Sequence, residues 1–218
     1  MNQTHRPAPF VRFLRGALRP IGLEARGRSL YHRLTRRPPP WLRTSETSKC
    51  RARLAPFCTG FGVDLGFGGD AITPSAIRVD LPQPYADYLG IHPVQLGGDV
   101  RHLHWFADGV LDFVYSSHVL EDFEDTGAVL REWLRVLKPG GRLVIYCPDE
   151  QVYRRHCVAT GQPYNEHHVH AGFSLAFVKE ALGRIGGGRV VHENPLVEIY
   201  SWELVVEKLP GHSADARA

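Results

Sequence analysis

Gly62-Val63-Asp64-Leu65-Gly66-Phe67-Gly68-Gly69-Asp70 runs an apolar segment into a glycine turn, and Ile77-Arg78-Val79-Asp80 ends a second apolar run in an acid. Residues without Cβ can take positive φ, so the backbone of such a turn can approach a ligand closely. An acid at the tip of the next strand can accept both hydroxyls of a ribose. Together these residues predict a nucleotide-binding crossover. A third acid, Asp99, stands in Leu96-Gly97-Gly98-Asp99-Val100, where it and the adjacent backbone can engage an adenine edge or its exocyclic amine. The other chemically loaded segment is Tyr164-Asn165-Glu166-His167-His168-Val169-His170. In an extended conformation His168 and His170 point the same way, as two ligands of one metal would, and Glu166 or a carboxylate elsewhere can complete such a site. Histidines that hydrogen-bond or line a substrate pocket are the commoner use of so short a motif, and no metal is assigned.

The glycine turn narrows the choice of nucleotide. A dinucleotide fingerprint requires G-x-G-x-x-G, with a pyrophosphate at the following helix N-terminus. Gly66-Phe67-Gly68-Gly69-Asp70-Ala71 lacks the third glycine, and Asp70 would set a negative charge, with no partner evident in the sequence, where the pyrophosphate belongs. A ligand without phosphates fits better. S-adenosylmethionine is such a ligand: a ribose, an adenine, a zwitterionic amino-acid tail and a sulfonium.

Positioning these residues requires alternating strands and crossovers. Short apolar runs predict strands at Gly62–Leu65, Ala76–Asp80, Val94–Leu96, Phe113–Ser116 and Arg142–Cys147. Val129, Leu130, Trp133, Leu134 and Leu137 share one face of a predicted helix over Gly127 to Leu137, which Lys138-Pro139-Gly140-Gly141 stops. A loop-rich, histidine-rich insert follows from residue 148 to 173. Ser174 then caps a helix through Leu182, and strands at Arg189–His192 and Glu198 to Lys208 close the pattern. Upstream, Phe10 to Leu18 and Glu24 to Leu34 read as helices, the first basic and amphipathic, with Pro38-Pro39-Pro40 as a linker. The expected organisation is a basic helical N-terminal extension over 1–53, a ligand-binding α/β domain over 54–209 and a flexible tail over 210–218.

In this order and spacing the chain resembles class I S-adenosylmethionine-dependent methyltransferases, and within them the type-11 methyltransferase domain. The resemblance is carried by Val63–Gly69, by Asp80 and Asp99, and by Phe106-Ala107-Asp108-Gly109-Val110-Leu111-Asp112-Phe113-Val114. It continues through Ser116-Ser117-His118-Val119-Leu120-Glu121-Asp122 and Leu130-Arg131-Glu132-Trp133-Leu134-Arg135-Val136-Leu137-Lys138-Pro139-Gly140-Gly141. It implies a doubly wound, Rossmann-like, mostly parallel seven-stranded sheet with an antiparallel last strand. It also implies S-adenosylmethionine as cofactor, with binding residues at Asp64, Gly66, Phe67, Gly68, Asp80, Leu81, Asp99 and Val100. Ser116, Ser117 and His118, at the end of the fourth strand, would lie near the methionine portion.

Two departures stand out. The family often has histidine where Asp122 stands, so a base role for that histidine does not transfer. Only 16 residues separate Asp64 from Asp80, with Pro74 between them, so the first crossover helix is expected to be shortened or irregular, or its space filled by the N-terminal arm.

Segments after the fifth strand sit at the carboxyl edge of an open sheet, where such folds bind ligands. A neutral imidazole there can take a hydroxyl proton as a methyl group is transferred. His167, His168 and His170 are therefore substrate-side candidates, with His118 behind them. The expected acceptor is an oxygen of a small molecule, sugar or glycan. Residues 1 to 53 hold 13 Lys and Arg against only Glu24 and Glu46, which leaves open an anionic surface, membrane or nucleic acid, as a partner. An RNA methyltransferase gripping its substrate with that arm, or a non-catalytic methyltransferase-like scaffold, are the alternatives. Four cysteines without CxxC spacing and no long apolar run predict a cytoplasmic protein, peripheral to a membrane at most. The pattern is silent on oligomeric state.

Overall fold

The computed structural model describes residues 45–82 and 93–211. The helices expected over Phe10–Leu18 and Glu24–Leu34, the proline linker and the tail beyond 211 lie outside the described residues. Seven strands form one sheet in the order β3-β2-β1-β4-β5-β7-β6: β1 Gly62–Leu65, β2 Ile77–Asp80, β3 Leu96–Gly97, β4 Leu111–Ser117, β5 Leu137–Pro148, β6 Gly188–Val197 and β7 Ser201–Lys208. Pairs β3:β2, β2:β1, β1:β4 and β4:β5 are parallel. Strand β7 runs antiparallel to both neighbours. This is the doubly wound, mostly parallel sheet with an antiparallel last strand that the sequence implies.

Each face of the sheet carries its own core, because successive side chains of a strand point to opposite faces. Val63, Leu65, Val114, Leu143 and Ile145 pack against α2, Thr126–Val136, and α4, Leu175–Ile185. On the other face Phe113, Tyr115, Val144 and Tyr146 meet Cys50 and Leu54 of α1, Glu46–Leu54, together with Ile72 and Ala76. Strand β1 is buried along its whole length, as a parallel strand covered on both faces must be.

One local expectation is met and two are corrected. The first crossover contains no helix: residues 66–76 are turns and bends, with positive φ at Gly66, Gly68 and Gly69 and a proline at position 74. Helix α1, from the N-terminal side, covers the sheet there instead. Residues 150–160, expected as loop, form helix α3, Glu150–Thr160, capped by the Asp149 carboxylate on the Val152 N–H and ended by Gly161 in the left-handed region. Only Glu150 and Cys157 of α3 are buried, so its apolar periodicity is too weak to read. Finally, β7 begins at Ser201 rather than Glu198, because Glu198 and Ile199 take positive φ in the turn from β6.

The sheet edges differ from its centre. Strand β3 is two residues long, and β6 carries Pro195 and two register shifts. Among the described residues no helix is long and apolar enough to cross a membrane.

Candidate active site

The carboxyl ends of β1, β2 and β4 bring the expected ligand residues together. After Leu65 the chain turns through Gly66, Gly68 and Gly69 with φ of 66°, 59° and 90°. A Cβ at Gly66 would lie 2.3 Å from Val119 Cγ2, so that position is reserved for glycine on two counts. The Gly68 N–H donates to Asp80 Oδ2 at 3.2 Å and the Leu81 N–H to Asp80 Oδ1 at 2.8 Å, which joins the glycine turn to the tip of β2. Phe67 is buried and Leu81 exposed.

Asp64 is 1% exposed, and its Oδ2 accepts the Ile72 N–H at 2.6 Å. Burial pushes its carboxyl well above the usual carboxylate range. Asp70 has two partners that the sequence did not reveal, Ser45, the N-cap of α1, and Arg51 in its last turn. Asp99 is chelated by Arg101, whose Nε and Nη2 reach it at 2.6–3.0 Å, and these bonds lower its pKa. The next residue, Val100, is buried and its carbonyl accepts the Trp133 indole N–H at 2.8 Å. Ser116 Oγ donates to the Leu65 carbonyl at 3.2 Å and so ties β4 to β1.

The donor set fits S-adenosylmethionine better than a dinucleotide. The turn is a backbone cradle with an acid beside it, no Lys or Arg lies within residues 64–72, and Arg51 is already engaged with Asp70.

Beside this cradle lies a chain of acids and imidazoles. His118, at φ 52° just past β4, places Nε2 3.2 Å from Ser201 Oγ and 3.4 Å from Glu46 Oε2. Its Nδ1 is 3.6 Å from Glu121 Oε1, and His168 Nε2 is 3.7 Å from the same oxygen. His168 Nδ1 bonds Glu150 Oε2 at 2.8 Å. Glu150 also accepts from Arg154 Nε at 2.7 Å and from the Tyr164 hydroxyl. Burial drives His118 down to about 4 and Glu121 upward, so the imidazole is neutral at pH 7. Tyr146, Tyr153, Tyr164 and Tyr200 surround these groups, with Tyr153 5.0 Å from the His168 ring and 5.1 Å from Tyr200.

Of the four histidine candidates, the structure brings His118 and His168 together through Glu121. His170 is directed elsewhere: its Nε2 lies 2.8 Å from the Phe123 carbonyl and 3.2 Å from Thr126 Oγ1, where it ties the insert to the start of α2. His167 is exposed. His168 and His170 thus have different partners and do not converge as a metal pair. Among the described residues no group of three or more His, Cys, Asp or Glu is placed to hold a metal. Sequence reasoning missed Glu46, Glu121 and Glu150. For Glu150 a signal existed, since Asp149 as cap with Arg154 four residues beyond Glu150 is a helix-start pattern.

Comparison with known proteins bears on the family and the fold. Residues 63–145 match the family described as a methyltransferase domain. Demethylmenaquinone methyltransferase of Mycolicibacterium paratuberculosis is 49% identical over 51 residues, 23% of this chain and 22% of that protein. The chain spans between 19% and 28% of the lengths of the curated relatives it matches. Among solved structures, a chain from the complex of the Haloferax volcanii Trm112 methyltransferase activator with a methyltransferase superposes with a TM-score of 0.57 at 18% identity. That superposition covers 91% of this chain and 98% of that one. A SAM-dependent methyltransferase of Thermotoga maritima gives 0.54 at 20% identity, covering 75% and 88%. At such identities the likeness speaks to the fold.

Proposed function

We propose that this chain uses S-adenosylmethionine to transfer a methyl group to an oxygen of a small molecule or sugar, a reading supported by the match of residues 63–145 to a methyltransferase domain family. One observation carries the reading. The glycine cradle joined to Asp80 opens on the same sheet edge as a histidine held by a buried carboxylate, His168 on Glu150.

When bound, S-adenosylmethionine supplies a methyl carbon on a sulfonium, open to in-line displacement by a nucleophile. The protein's task is largely alignment, which can supply about 7–11 kcal/mol in favourable cases. Gly66 and Gly68 would let the main chain approach the amino-acid part, and Asp80 would accept the ribose hydroxyls. Ser117, at the end of β4, presents a buried hydroxyl with no hydrogen-bond partner among the described residues.

On the acceptor side Glu150 takes the Nδ1–H of His168, fixing the tautomer whose Nε2 can accept a proton. An oxygen acceptor needs such a base, since its hydroxyl must lose a proton as the methyl carbon bonds to oxygen. Neutral His118 lies on the other side of Glu121 as a second acceptor.

Calorimetry with S-adenosylmethionine and S-adenosylhomocysteine tests the cofactor half. Binding of both is expected, with a sharp loss in Asp80→Ala. A folded protein that binds neither refutes the reading, and an unchanged Asp80→Ala refutes the ribose role.

A further inference from the structure

In α/β crossovers the helix that follows a glycine turn locks the turn in place. Here that helix is absent from residues 66–76, and three glycines with positive φ make the turn intrinsically permissive. Backbone N–H groups tie the loop to β2 and β1, Gly66 to the Val79 carbonyl at 2.8 Å, Gly68 to Asp80 Oδ2 at 3.2 Å and Ile72 to Asp64 Oδ2 at 2.6 Å, while Asp70 N–H to the Phe67 carbonyl at 3.1 Å and Ala76 N–H to the Thr73 carbonyl at 3.3 Å join loop residues to each other.

Where the crossover helix would stand, helix α1 adds a second hold, on Asp70 and Ala71. Arg51 Nη2 donates to Asp70 Oδ1 and, at 3.2 Å, to the Ala71 carbonyl. Ser45 Oγ donates to the other Asp70 oxygen while accepting the Ser48 N–H at 3.0 Å, so one side chain caps α1 and tethers the loop. Below these bonds Ile72 and Ala76 pack with Cys50 and Leu54 in one core cluster. The Asp70 side chain is 15% exposed, a sheltered position where an ion pair is less screened than at the open surface.

We propose that Arg51 and Ser45 are positioning residues for S-adenosylmethionine, acting through Asp70 to hold the glycine turn in its binding conformation in place of a first crossover helix. This rests on the cofactor reading above. Two physical effects support it. Holding a glycine-rich loop in advance removes an ordering cost from binding. Pairing Asp70 with a guanidinium would also offset its negative charge toward the carboxylate of a methionine tail seated at the glycine turn.

The test measures S-adenosylhomocysteine affinity of the full chain by calorimetry, alongside hydrogen exchange of residues 66–72. Arg51→Gln and Asp70→Asn should each weaken binding about tenfold, the loss of one charge-assisted bond. Exchange should rise in 66–72 and stay unchanged in β4 and β5. Arg51→Lys should recover part of the affinity, and the reversed pair Arg51→Asp with Asp70→Arg should bind better than either single reversal. Wild-type affinity and exchange in both Arg51→Gln and Asp70→Asn overturn the inference. So does a loss of affinity matched by general unfolding in both variants. If the wild type itself binds no S-adenosylhomocysteine, the cofactor reading falls and this inference with it.

Discussion

Burial drives the ionisable groups at the carboxyl edge in opposite directions, and each direction has a consequence for pH. His118 falls from its ordinary 6.5 to about 4, so between those values the unfolded chain binds the proton that the fold refuses. Stability from this group is therefore present above about pH 6.5 and is lost as pH falls toward 4. His118→Gln should lose less of its thermal midpoint between pH 7 and 5 than the wild type. Glu121 has the opposite sign. Its raised pKa, set by burial with Asp122, Glu46, His118, His168 and Cys147 around it, gives stability present at low pH and lost as pH rises. Glu121→Gln should therefore gain midpoint over the wild type as pH goes from 5 to 8, and a pH-independent difference counts against the assignment. For the proposed reaction, His168→Asn should lower kcat about a hundredfold, while His170→Asn, which removes a loop tie, should leave kcat nearly unchanged. Legibility at this scale was uneven. The residues that meet a ligand announce themselves by local type and spacing, as Gly66 and Asp80 do. Pairings such as Arg51 with Asp70, or His168 with Glu150, depend on long-range packing that no local pattern encodes.

Elements with strong apolar runs were legible. Strand β1 is read to the residue because all four of its positions are buried. Helix α2 is read to within one residue, since Val129, Leu130, Trp133 and Leu134 share a buried face. Helix α3 was not legible, because it lies within the insert with only Glu150 and Cys157 buried and depends on its cap. Asp149→Ala should cost about 1 kcal/mol of unfolding free energy by chemical denaturation. The glycine turn makes a sharper demand. Gly66→Ala meets both a disfavoured φ and the Val119 side chain, so it should destabilise the fold and weaken cofactor binding, with partial recovery on adding Val119→Ala. Full recovery by Val119→Ala would show that the clash, not the backbone conformation, sets the cost.

Across the whole molecule the basic character of the chain's start does not persist into the described residues. Lys49 pairs with Glu46 at 2.6 Å, Arg51 with Asp70, and Arg53 with Glu203 and Glu198 at 2.6 and 3.0 Å. An RNA acceptor gripped by the basic arm would rely on the cations of residues 1–43. It predicts binding of tRNA by the full chain that falls steeply with salt, and absence of that binding at low salt removes the alternative. The strand order carries one more consequence, for how the chain is built. Among the described residues strand β6 has no sheet neighbour but β7, which follows it in the chain. During translation, then, β5 presents a long open edge and β6 has nowhere to dock until Ser201–Lys208 has left the ribosome. The nascent protein must carry that open edge through the synthesis of residues 149–200, the interval in which misassembly and aggregation compete with folding.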